Sequence, residues 1–210
     1  MIAGLCLTMG TVDVRAQEQG KVEPFSTGER PILIQGAIGL NLDPDRTIKD
    51  RGIILSNLYE RLQAADSKET AERLVSAIEK IWLTSGSDTI DVLMSRASTA
   101  FENENLKLAK ELLDSITEIA PEYSEGWSKR AIIEFRNKDY VAAMRDLEKV
   151  LEIDPRHFRA IQGLGAILEE FDKKKRALEA YRRVLKIHPF SDSAQNSEQE
   201  LSREVEGQRI

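Results

Sequence analysis

Three prolines stand at equal intervals in the second half of the chain. Pro121, Pro155 and Pro189 are each 34 residues apart, and an interval of 34 residues is typical of a repeated unit of two helices joined by a turn. Proline lacks a backbone N–H and disfavours helix in the residue before it, so each proline is expected to end a helix. The spacing therefore predicts three equal hairpins of two antiparallel helices.

Small residues and large apolar residues recur at the same interval. The recurring sets are Ala97, Ala131 and Gly165; Ala109, Ala143 and Ala177; and Leu113, Leu147 and Tyr181. Small residues allow the two helices of one unit to approach closely, while the apolar residues fill the space between them. One such unit cannot bury its own apolar face, so neighbouring units are expected to stack.

On these residues the chain resembles the tetratricopeptide repeat (TPR) family. The segment from Gly126 to Pro155 follows the family pattern almost position by position, with Trp127 near its start. The resemblance implies an all-α fold: a right-handed superhelical array of antiparallel helix pairs, or TPR-like α-solenoid. The three units are predicted at residues 90–123, 124–157 and 158–190.

The chain departs from the family pattern at two kinds of position. The turn position that usually holds glycine is Glu104, Lys138 and Asp172 in the three units. Arg96 and Arg130 replace an aliphatic residue in the first two units, and we expect these arginines to pair with acidic residues of an adjacent helix.

The flanks of the repeats are less regular. Residues 53–89 are predicted to form a degenerate helix pair, with helices at Leu55–Ala65 and Lys68–Leu83, and residues 191–210 a polar helix that caps the array. Residues 17–52 are rich in proline and glycine, lack periodicity and are predicted to be a poorly ordered linker.

The first residues resemble a targeting signal. Residues 2–12 are apolar or small, and Val14 and Ala16 precede a polar stretch, which fits a signal peptide at residues 1–16 that is cleaved after Ala16. The protein is then expected in the periplasm or secreted. The alternative is a short buried helix or strand, which leaves the protein in the cytoplasm if residues 1–16 are retained.

Composition argues against several functional classes. Lys and Arg number 30 against 36 Asp and Glu, a net charge of −6, so no nucleic acid partner is expected. One cysteine and two histidines offer little for a metal site. His157 and His188 lie at turns, where a turn or capping role is expected. The sequence predicts no cofactor, no catalytic site and no transmembrane span, and hence no enzyme.

The resemblance also implies where a partner binds, because the first helix of each TPR unit lines a groove. The predicted partner-binding residues are Met94, Ser98 and Phe101 in the first unit, Ser128, Ile132, Phe135 and Arg136 in the second, and Arg159, Gln162 and Glu169 in the third. Phe101 and Phe135 are expected to form an apolar floor for a protein or peptide. Alternatively, both pack against the terminal helix or residues 17–55 and occlude the groove.

Two functions remain open at this point. The first is a non-catalytic adaptor or scaffold that binds a protein or peptide partner. The second is a self-assembling structural oligomer, in which the array stacks through its ends or through the exposed upstream helix pair. Head-to-tail contacts are favoured because residues 56–121 carry 7 Lys and Arg against 12 Asp and Glu, whereas residues 124–189 carry 15 against 11. The clamp by which some TPR proteins hold a chaperone's C-terminal carboxylate is largely absent. Its positions hold Met94, Ser98, Lys129, Arg159 and Gly163.

Overall fold

A computed structural model describes residues 48–207, and within this range every regular element is an α helix. The prediction of an all-α fold is confirmed. The predicted signal peptide, residues 1–16, and most of the predicted linker, residues 17–52, lie outside the described residues. The helices are α1 Ile48–Gln63, α2 Lys68–Leu83, α3 Asp88–Glu102, α4 Leu106–Ile119, α5 Ser124–Arg136, α6 Tyr140–Ile153, α7 Phe158–Glu170, α8 Lys174–Ile187 and α9 Asp192–Glu206.

Three helix pairs form the repeated units: α3 with α4, α5 with α6, and α7 with α8. The turn inside each pair is tight because one residue takes the left-handed conformation, with φ of 58° at Glu104, 61° at Lys138 and 53° at Asp172. In the first turn the Asn105 N–H donates to the carbonyl oxygen of Ala100 at 2.8 Å. This bond closes a Schellman motif, which ends the helix without the glycine that usually occupies that position.

Arg130 ties the second unit to the first. Its guanidinium donates to both carboxylate oxygens of Asp146 at 2.7 Å, to Asp114 at 3.0 Å and to the Thr117 hydroxyl at 2.8 Å. Asp146 lies on α6 of the same unit, whereas Asp114 and Thr117 lie on α4 of the preceding unit. The prediction that Arg130 pairs with acidic residues of a neighbouring helix is confirmed. Arg96, the equivalent residue of the first unit, is exposed.

The first helix pair, which falls in the predicted degenerate helix pair at residues 53–89, packs on the third unit and not on the first. We call α1 and α2 the N-terminal hairpin. Its apolar residues, including Leu58, Leu62 and Trp82, share one core with Phe158 and Leu178 of the third unit and with α9. The sequence pattern indicates that these helices have an apolar face, but not which neighbour covers it.

Polar contacts fix the N-terminal hairpin along the ends of the later units. Lys68, at the start of α2, forms an ion pair with Asp192 at the start of α9 at 2.5 Å. Near the other end of α2, the Trp82 ring stacks on His157 with 3.8 Å between ring centroids. The Tyr59 hydroxyl donates to Asp154 at 2.5 Å. The hairpin therefore lies across the loops that lead into α7 and α9.

The helix bounds differ from prediction mainly at the chain's first helix. α1 begins at Ile48, within the predicted linker, whereas α2 has the predicted bounds. Arg51, upstream of the predicted start, is partly buried and lies over the Tyr123 ring at 5.8 Å, so the added turn is held by tertiary contacts.

At the C-terminal end of the array, α9 packs on α8 through buried Ala194 and Leu201, with its polar side outward. None of the described helices is both long and apolar enough to cross a membrane.

The third unit differs from the second in how its two helices fit together. A Cβ atom on Gly165 would lie 3.0 Å from Cζ of Tyr181. Tyr181 is 4% exposed, and its hydroxyl donates a hydrogen bond to Glu169 at 2.5 Å. The second unit has Ala131 and Leu147 at the equivalent positions. The third unit therefore pairs a glycine with a tyrosine where the second unit pairs an alanine with a leucine.

We predict that Gly165→Ala destabilises the protein, because overpacking typically costs about 1–3 kcal/mol, more than the helix propensity gained, which is at most about 1 kcal/mol. Adding Tyr181→Leu to Gly165→Ala should raise the free energy of unfolding again, since the pair then matches the second unit. Denaturant unfolding of the two single variants and the double variant measures the coupling. Strictly additive effects would contradict this account of the packing.

Candidate functional site

The helices α5 and α7 border a groove of about 420 Å³. Six of the ten predicted partner-binding residues line it: Ser128, Ile132, Phe135, Arg136, Arg159 and Gln162. Glu125, Lys129, Gly163 and Tyr181 also contribute to its walls. The groove therefore belongs to the second and third units, not to all three.

The apolar part of the groove is built on α5. Ile132 is 43% exposed, although it lies on a helix that packs against two neighbours. Phe135, three residues further along the helix, is half-buried because its ring makes an edge contact with Tyr140 at 5.3 Å between centroids. Together the two side chains present an apolar strip whose position is fixed by the Phe135–Tyr140 contact.

A cation borders this strip. The guanidinium carbon of Arg136 lies 4.4 Å from the centroid of the Phe101 ring, a distance typical of cation–π attraction. Phe101 is itself half-buried and belongs to the first unit, so it supports the arginine instead of forming the groove floor. Arg136 remains exposed and keeps N–H groups available for a carboxylate.

The other end of the groove holds a buried carboxylate. Glu125 is 4% exposed, lies 3.4 Å from His157 Nε2 and forms an ion pair with Lys129 at 3.4 Å. Burial raises the pKa of Glu125, but the hydrogen bond from His157 and the attraction of Lys129 outweigh it, and the pKa lies below the ordinary value.

His157 connects this carboxylate to the N-terminal hairpin. Its Nδ1 accepts a hydrogen bond from the Ala160 N–H at 3.2 Å, which caps α7 and leaves the proton on Nε2 to face Glu125. The predicted capping role of His157 is confirmed. Because Trp82 stacks on the opposite side of the same ring, the end of the groove is held by α2 as well as by α5 and α7.

Two further groove residues are already engaged. Arg159 donates from Nε to Glu79 on α2 at 2.9 Å. The Gln162 amide donates to the Ser193 hydroxyl on α9 at 3.1 Å. Ile132, Phe135 and Arg136 form no such contact with α2 or α9, so a ligand in the groove would meet these three side chains first.

Three predicted residues lie elsewhere, and a fourth contributes only indirectly. Met94 is 3% exposed in the core of the first unit and does not line the groove. It follows Ile90 by one helical turn and shares its buried face. Ser98 is half-buried outside the groove, and Glu169 is exposed and bound to Tyr181. Phe101 contributes through Arg136. Within the described residues neither phenylalanine packs on α9.

Sequence reasoning missed the cluster of Trp82, Glu125 and His157. The sequence did hold a signal for one of these contacts, because Glu125 and His157 both lie near the start of a unit and are 32 residues apart, nearly one repeat. Trp82 lies outside the repeated units, so the spacing of the repeats does not indicate that it contacts His157. No group of three or more His, Cys, Asp or Glu side chains in residues 48–207 is placed to hold a metal ion.

The fold and the groove define a class of protein: an all-α array of helical hairpins with a ligand-sized groove between units. The family model for the tetratricopeptide repeat matches residues 134–199. A TPR repeat-containing protein of Rhizobium etli is 34% identical over 155 residues, which cover 74% of this chain and 76% of that protein. The chain belongs to the tetratricopeptide repeat family.

More distant proteins are similar in sequence or in fold. The small glutamine-rich tetratricopeptide repeat-containing protein 2 of Saccharomyces cerevisiae is 28% identical over 131 residues, or 62% of this chain and 38% of that protein. The first TPR of Spaghetti (RPAP3), solved bound to an HSP90 peptide, superposes with a TM-score of 0.53 at 21% identity, covering 56% of this chain and 93% of that one. MamA superposes with a TM-score of 0.53 at 17% identity over 77% and 86% of the chains.

Proposed function

We propose that the protein is a non-catalytic adaptor that binds a segment of another protein in the groove between α5 and α7. The observation that carries this proposal is Ile132, a large apolar side chain that is 43% exposed inside a groove of about 420 Å³. Exposed apolar surface in a bordered depression is typical of interaction sites. Membership of the TPR family, and the RPAP3 structure with its bound peptide, support the same conclusion.

The groove suits a segment with one apolar side chain and one carboxylate. The apolar side chain packs on Ile132 and Phe135, where burial contributes about 1.5–3 kcal/mol. The carboxylate meets Arg136, whose position is fixed by the Phe101 ring at 4.4 Å. An internal acidic segment fits better than a C-terminal carboxylate, because Met94 is buried and Arg159 already contacts Glu79.

The test compares two exposed aliphatic residues, Ile132 in the groove and Val141 on α6, which is 62% exposed and outside it. A photo-crosslinking amino acid at position 132 should capture a discrete partner in cells, whereas the same group at 141 should not. Ile132→Asp should remove that partner from affinity-purified protein, and Val141→Asp should retain it. Identical partner sets from both positions would contradict the proposed site.

We further propose that this adaptor works in the cell envelope after export, a proposal supported by the apolar run of residues 2–12 and the small residues before Gln17. Protein recovered from the periplasmic fraction of its native host should begin at Gln17 in N-terminal sequencing. Recovery of a chain that retains residues 1–16, confined to the cytoplasmic fraction, would contradict export.

A further inference from the structure

One face of the first unit has no neighbour among the residues that the structure describes. Each later unit is covered on this side by the unit before it, but the N-terminal hairpin packs on the third unit instead. We call this surface the open face. It comprises Val92 and Arg96 of α3 and Leu108, Leu112 and Ile119 of α4.

The open face is apolar in composition. Val92 is 52% exposed, Leu108 43% and Ile119 63%. Leu108, Leu112 and Ile119 are separated by four and seven residues, so they share one side of α4. Three large apolar side chains exposed together on one side of a unit are typical of a surface that another element covers.

The second unit shows what covers the equivalent surface. Arg130, which is 34 residues after Arg96, binds Asp114 and Thr117 of the preceding α4. Arg96 has the same place in its own unit but is exposed, and no carboxylate in the described part of the chain pairs with it. Arg130 binds a carboxylate of the preceding helix, whereas Arg96 has no such helix beside it among those described. The element that fits Arg96 is therefore a helix with a carboxylate on its apolar side.

The steric requirement differs between the two units. Gly126 of the second unit lies so close to α4 that an added Cβ would be 2.8 Å from Cγ2 of Ile116. The equivalent residue of the first unit is Val92. A helix docked on the open face must therefore have a small residue where α4 has Ile116, since isoleucine and valine would collide.

We propose that the open face docks an amphipathic helix of a partner protein, with a carboxylate bound to Arg96 and a small residue against Val92. This surface is separate from the groove between α5 and α7. A two-fold contact with a second copy is disfavoured, because it would bring two Arg96 side chains to the same interface. Head-to-tail stacking lacks an apolar complement, because α9 presents polar residues such as Gln195, Asn196 and Gln199 at the other end.

The chain's own α4 supplies a probe of this chemistry. A fluorescein-labelled peptide of residues 105–120 with Ile116→Ala, held helical by a lactam between Lys107 and Glu111, presents Asp114 and a small residue as required. Fluorescence anisotropy with the full chain should detect binding. The peptide that retains Ile116 should bind more weakly, because its side chain would meet Val92.

Charge reversal separates the open face from other binding modes. Arg96→Glu in the protein should weaken peptide binding roughly tenfold, and Asp114→Arg in the peptide should restore it. Arg176→Glu, which changes an exposed arginine away from the open face, is the matched control and should leave binding unchanged.

Three results would overturn the proposal. The first is the absence of peptide binding to the full chain. The second is binding that Arg96→Glu does not alter, which would mean that the peptide displaces the chain's own α4 or binds elsewhere. The third is concentration-dependent dimerisation of the unmodified protein that Arg96→Glu abolishes, because a second copy would then occupy the face. None of these results bears on the groove, so the adaptor proposal is tested independently.

Discussion

A hairpin of two helices cannot cover both of its own faces, and the rest of this structure depends on how each uncovered face finds a neighbour. Between the first and second units the neighbour is the next hairpin, and Arg130 fixes the contact through carboxylates on two helices. Such a guanidinium, with most of its area buried, is costly to leave unpaired. The interface between units is therefore specified by charge as well as by apolar area.

At the other end of the array the same requirement is met by α9, and along its edge by the N-terminal hairpin. The hairpin contributes Trp82 to a stack with His157, and that histidine faces Glu125 in the groove. Glu79 of the hairpin also contacts Arg159. Helix α2 thus holds the polar end of the groove, whereas Ile132 and Phe135 form its apolar strip. For the proposed adaptor, this division would order the groove before any partner arrives and so lower the entropic cost of binding.

The repeated part of the fold could be predicted because its determinants are local and periodic. Prolines end helices, alanines permit close approach, and α4, α6 and α8 each end two residues before one of the three regularly spaced prolines. The site was less accessible to prediction. Ile132, Phe135 and Arg136 follow from the family register, but the burial of Met94 depends on how α3 packs with its neighbours. The location of the N-terminal hairpin could not be predicted, because an apolar stripe does not identify the surface that covers it. The stack of Trp82 on His157 joins residues 75 positions apart that share no repeat register.

The central claim is that the N-terminal hairpin spans the edge of the later units instead of extending the array. Zero-length carbodiimide cross-linking followed by mass spectrometry tests it directly, because Lys68 and Asp192 are 2.5 Å apart as an ion pair. The account predicts a Lys68–Asp192 cross-linked peptide that Asp192→Asn eliminates. Cross-links from Lys68 to carboxylates of α3 or α4, with none to Asp192, would place the hairpin on the first unit and contradict the account.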